Sequence, residues 1–168
     1  GWKDVFSKAE FSERQQQYAS HFAASGVYTP QVIVNGATEF VGSAESKLNN
    51  TVWQSLQNNK GSDISISATK NATTVTVDYN INEPDAVLLN LALVEPEAST
   101  QVKRGENGGS TLHHVNIVRE LTTVEAKGKG TTTIEIPKEL SAMPLELIAF
   151  TQQKTTFKIL GADKKQSL

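Results

Sequence analysis

Pro30-Gln31-Val32-Ile33-Val34-Asn35-Gly36-Ala37-Thr38-Glu39-Phe40-Val41 is the stretch from which the fold reads outward. Val32, Ile33 and Val34 are β-branched, which disfavours helix and suits a pleated strand. Asn35-Gly36 is the preferred pair for a type I′ turn, because both central positions need positive φ, and Thr38 to Val41 can return as the second strand. Pro30 stands just before the first strand, where a missing N–H is tolerated. This segment is therefore a β-hairpin.

Helical patterns flank it on both sides. Upstream, Ser7-Lys8-Ala9-Glu10 has the form of a capping box, in which hydroxyl and carboxylate each satisfy a free backbone N–H. Phe11, Gln15, Tyr18 and Phe22, with the small Ala19 and Ala23, follow at three-to-four spacing, and Gly26 suits a helix end, so a helix is expected from about Ser7 to Ser25. Downstream, a second helix starts near Ser43, with Leu48, Val52 and Leu56 on one face and Trp53 beside them.

Beyond the polar run Asn58-Asn59-Lys60-Gly61-Ser62 the hydrophobic period changes from helical to two. Ile64, Ile66 and Ala68 alternate with serines, and Val75, Val77 and Tyr79 alternate with Thr74, Thr76 and Asp78 across a turn at Asn71-Ala72. Leu89, Leu91 and Leu93 alternate less cleanly, because Leu88 and Ala92 place apolar groups on the other face; that strand is expected to be central and covered on both sides. Thr131 to Ile136, Leu145 to Phe150 and Thr155 to Leu160 are further strands. Leu112, Val115, Val118 and Leu121 recur every third residue, yet their β-rich surroundings favour strand. The expected fold class is α+β: helix, β-hairpin and helix over residues 1–60, then an antiparallel β-sandwich domain over 61–168.

Composition narrows the function. Sixteen basic residues against 18 acidic give a net charge of −2, without the electrostatic footprint of a chain that grips nucleic acid. The apolar runs stop short of the roughly 20 residues of a membrane span. Cysteine is absent, so thiol chemistry, a Cys-zinc site and an internal disulfide are excluded within these residues. No catalytic constellation and no cofactor motif is present: Gly42-Ser43 reads as a helix cap rather than a nucleophile elbow.

Several segments together resemble one family. Gly1-Trp2-Lys3-Asp4, Phe11-Ser12-Glu13-Arg14-Gln15 with Tyr18, Val27 to Gly36 and Val41-Gly42-Ser43 are similar to successive motifs of the exported bacterial thioredoxin-like proteins of domain of unknown function 1223. Leu91-Ala92-Leu93-Val94-Glu95, Arg104 to Gly109 and His114-Val115-Asn116-Ile117-Val118-Arg119 resemble that family's β-rich C-terminal region. The resemblance implies that residues 1–60 are the closing half of a thioredoxin-like unit, whose cysteine-bearing opening half would precede Gly1. It also implies a secreted or periplasmic location, and a parent that exchanges thiols and disulfides in the cell envelope. A protein that binds without catalysis through its β domain is the alternative.

Within that family pattern Thr29-Pro30 occupies the place of a cis proline that packs against the dithiol, and Tyr28, Thr29 and Pro30 are the implied substrate-binding residues. The backbone there would pair an extended peptide or protein partner. The missing half implies that Val32, Ile33, Val34 and Phe40 are left uncovered, to be closed by a separate N-terminal fragment, a second copy of the chain or a contact with the β domain.

Other features carry less. The loop Arg104 to Ser110 is glycine-rich but lacks the Lys-Ser/Thr pair of a phosphate cradle, so it reads as an exposed hairpin connection. His113 and His114, neighbours on a strand, point to opposite faces and make a poor metal site. His21 suits the end of the first helix, and Arg119 reads as a solvated charge, with pairing to Glu106 or Glu120 or contact with a ligand carboxylate as the less common alternatives.

Overall fold

In the computed structural model the hairpin forms where its sequence places it, and the structure describes residues 4–58, 61–105, 108–166 and 168. Gly1 to Lys3, the Asn59-Lys60 boundary, and Glu106 with Asn107 of the glycine-rich loop lie outside the described residues. β1 (Gln31–Val34) and β2 (Thr38–Val41) pair antiparallel, with Val32 opposite Phe40 and Ile33 opposite Glu39. Asn35 and Gly36 both take positive φ, 50° and 64°, as the turn chemistry requires.

α1 (Ala9–His21) and α2 (Glu45–Asn58) flank the hairpin. α1 is shorter than its sequence pattern suggests. Its N-cap is Lys8, whose side chain makes no capping bond, so the Ser7 capping box does not form. Instead Asp4 accepts a bond from the Phe6 N–H at 3.0 Å and its carbonyl accepts one from Ser7, turning the chain before the helix. At the other end Ala23, not Gly26, carries the positive φ that breaks the helix.

The rest of the described chain is antiparallel. β3 (Ile64–Lys70), β4 (Thr74–Ile81) and β7 (Gly128–Glu135) make one sheet in the order β3-β4-β7. β5 (Val87–Gln101), β6 (Thr111–Ala126), β8 (Glu146–Gln152) and β9 (Ile159–Lys165) make the other, in the order β6-β5-β8-β9. The two sheets enclose a core in which Val75, Val77 and Ile134 meet Leu89, Leu91, Leu93 and Leu147. Tyr79 lies across Gly130, its partner in register, in the space a side chain at that position would occupy. The ambiguous three-residue spacing around Val115 resolves as strand β6.

One margin of the sandwich is nearly closed. The Asp163 carboxylate on β9 accepts the Ile66 N–H of β3 at 2.9 Å, and the Ser62 N–H donates to the Leu160 carbonyl at 2.8 Å. These bonds satisfy donors that an open edge would leave unpaired.

β5 is central and buried on both faces, as its broken alternation implies. Its second face carries Asn90, Ala92 and Val94. α1 crosses that side: Lys8 bonds Glu120 on β6 at 2.9 Å, while Arg14 and Tyr18 reach Gln152 on β8. Because β5 lies between β6 and β8, the helix forms a third layer over it. Thr155 to Leu160, expected as a strand, is instead mostly turn: the Gln153 N–H bonds the Lys158 carbonyl at 2.9 Å, and Phe157 adopts φ 58°. β9 begins only at Ile159.

The expected uncovered surface is also redistributed. Phe40 is only 4% exposed, Val32 to Val34 are half-buried, and Lys47 of α2 lies over the Phe40 ring. α2 itself is left bare, with Trp53 63% and Leu56 72% exposed. Of the apolar helix stripe read at Leu48, Val52 and Leu56, Leu48 is half-buried while Val52 and Leu56 are exposed.

Candidate functional site

Tyr28, Thr29 and Pro30 form the lead into β1, with Thr29 and Pro30 exposed and Tyr28 half-buried. The Thr29-Pro30 peptide bond is cis. The Pro30 carbonyl accepts the Gly42 N–H at 2.8 Å, which extends the hairpin ladder by one rung. In an antiparallel pair the bonding rungs alternate, so with Pro30–Gly42 bonded the next inward pairs are Val32–Phe40 and Val34–Thr38. The N–H and C=O of Gln31 and Ile33 therefore point away from β2. Among the described residues no other strand pairs with that edge.

A polar cluster holds the lead in place. Gln15 of α1 donates from Nε2 to the Tyr28 carbonyl at 2.8 Å and to Gln31 Oε1 at 3.1 Å. Gln31 Nε2 donates to Glu39 Oε2 at 3.1 Å, and the Tyr28 hydroxyl donates to the same oxygen. The phenol, and after it the Gln31 amide, hold the Glu39 carboxyl below its ordinary range. The same bond to Glu39 raises the Tyr28 hydroxyl, since its proton is the one shared. The cluster orients the backbone of the lead into β1.

A family model described as a protein of unknown function, DUF1223, matches residues 1–152. The chain belongs to this family. Among solved structures, the DUF1223 chain resembles an X-ray crystal structure of a protein from Agrobacterium tumefaciens, at TM-score 0.69 and 21% identity, covering 99% of this chain and 74% of that one. At that identity the likeness is one of fold. A DUF3823 family protein from Bacteroides ovatus overlaps at TM-score 0.35 and 19% identity, over 64% of this chain and 52% of that one, and carries no argument. No curated protein matches the chain.

In this DUF1223 protein the family resemblance points to Tyr28, Thr29 and Pro30, and the sequence alone does not single out Gln15, Gln31 and Glu39, which the structure brings against Tyr28. The register of the hairpin held the signal: the turn at Asn35-Gly36 sets Glu39 diagonal to Gln31 on one face. The other candidates do not join the site. His113 accepts or donates a bond with Ser99 Oγ at 3.0 Å, while His114 stands edge-on to Phe6, so the two imidazoles part as strand geometry requires. Among the described residues no three His, Asp or Glu side chains are grouped to hold a metal ion. Arg119 pairs with Glu95 across the β5–β6 ladder, and Lys8 takes Glu120, while Glu106 lies outside the described residues. The β5 and β6 ends beyond β8 form a two-stranded arm carrying a cleft of about 500 Å³ beside Ser99, His113 and Val115.

Proposed function

We propose that this chain supplies the chain-gripping edge of a thioredoxin-related envelope protein that exchanges thiols and disulfides, the reactive cysteines lying outside these residues. Tyr28, Thr29 and Pro30 lead an extended peptide or protein partner onto β1, in a secreted or periplasmic setting. The observation that carries this reading is the one-sided pairing of β1: Gln31 and Ile33 direct backbone donors and acceptors outward, directly after the exposed Thr29 and Pro30. Such an edge adds a strand by main-chain bonding, which accepts many sequences. The uncovered Trp53 and Leu56 on α2 support a cover in the parent, provided by a separate N-terminal fragment or a second copy of the chain.

The test uses a reduced, alkylated unfolded protein as probe and amide chemical shifts of the full chain as readout. Shifts are expected at Gln31 and Ile33. Ile33→Pro removes one outward N–H without touching the hairpin ladder, and is expected to abolish them while the hairpin persists. Binding that leaves these two amides unmoved would sink the edge reading. In the second reading the chain binds without catalysis through its β domain, and the projecting β5–β6 arm with exposed Val115 favours it. Shifts confined to residues 97–101 and 111–115 would select it.

A further inference from the structure

Arg14, Tyr18 and His21 of α1 and Asn35 and Gly36 of the hairpin tip converge on one turn of the β region. Gln152, 2% exposed at the end of β8, donates from Nε2 to the Tyr18 hydroxyl at 2.7 Å and to the Phe157 carbonyl at 2.7 Å. Its Oε1 accepts from Arg14 at 3.3 Å. At the hairpin tip the Asn35 carbonyl accepts the Ile159 N–H at 2.9 Å. Gly36 lies so close to the Phe157 carbonyl that a Cβ there would overlap its oxygen. The Phe157 ring meets Tyr18 edge-on at 5.3 Å and stacks on His21 at 4.7 Å.

We infer that the β8–β9 turn is a latch that holds the helix–hairpin unit on the sandwich and fixes where the Gln31–Ile33 edge is presented. A buried amide that uses both Nε2 protons and its oxygen is specific in direction, unlike an apolar contact that can slide. The left-handed φ of Phe157 turns its carbonyl toward Gln152 and Gly36, and the ring toward α1, so one residue serves both halves of the unit. The hairpin has few other supports: α2 has no buried residue, and β1 pairs only with β2 among the described residues. The latch stands on these contacts whether or not the edge binds an extended chain.

Hydrogen exchange of the full chain, resolved by segment, tests it. Gln152→Leu keeps the bulk but loses the donors, and Tyr18→Phe removes a single oxygen. In both, amides of residues 31–41 are expected to exchange about tenfold faster, the scale of one lost hydrogen bond, with residues 88–94 as protected as in the parent. Gln152→Glu keeps the size and the Arg14 partner but sets a carboxylate against the Phe157 carbonyl, and it should match Gln152→Leu. Unchanged protection at 31–41 in Gln152→Leu would overturn the latch. So would an equal loss at 88–94, because Gln152 would then be only a core residue.

Discussion

Tyr28, Gln31 and Glu39 share one carboxylate oxygen, and that arrangement has a pH signature. The Glu39 carboxyl is depressed in the folded chain, first by the Tyr28 hydroxyl and then by Gln31. A depressed acid stabilises the fold above its unfolded value and loses that contribution as pH falls through its folded value. The cluster should therefore loosen at the acid end of the carboxylate range and not near neutrality. Tyr28→Phe is expected to raise the Glu39 carboxyl toward its ordinary value, followed by side-chain carbon shifts in an NMR titration; an unmoved Glu39 would mean that the phenol does not hold it. Little of this cluster was legible residue by residue. Tyr28 is implied only by the family resemblance, and Gln15 and Glu39 look like any solvated polar residues until the register brings them together.

At the scale of elements, burial separates two stretches that look equally apolar in sequence. β5 is covered on both faces, and Leu91 is fully buried between the sheets. Leu91→Ala is expected to destabilise by about 2–5 kcal/mol, with a drop in the thermal midpoint, because the surrounding strands cannot close on the cavity. α2 presents Leu56 and Trp53 to solvent, so Leu56→Gln should change stability by less than about 0.5 kcal/mol while reducing concentration-dependent association in sedimentation. A large loss of stability in Leu56→Gln would show that α2 has a cover within the chain. The helix period announced an apolar stripe at Leu48, Val52 and Leu56; periodicity reports which residues share a face but not whether anything lies against it. Thr155 to Leu160 shows the converse. Its β-branched and aromatic residues favour a strand, yet closing the β8–β9 turn with Phe157 at positive φ wins over that local preference.

Across the whole molecule, α1 joins the two halves by lying over β5 and reaching from Glu120 to Gln152. A protease cut between residues 58 and 61 is therefore expected to leave two pieces that co-elute in gel filtration, with separation appearing when Gln152→Leu is introduced. Separate elution of the cut parent chain would support a division at residue 60 into independent domains. Residues 61–168 alone should be less stable and more prone to aggregate, since loss of α1 uncovers the face that carries Ala92 and Val94. The sequence by itself determined the hairpin, the change from helical period to strand period and the central place of β5. These are local matters of backbone preference and side-chain spacing, written within a few residues of one another. Only the tertiary structure decided that α1 roofs the sandwich, that Arg119 answers Glu95, and that Gln152 meets Tyr18 across 134 residues of chain. Contacts at that separation depend on how whole sheets and helices pack, and a buried glutamine has the same local neighbours whether or not a distant tyrosine finds it.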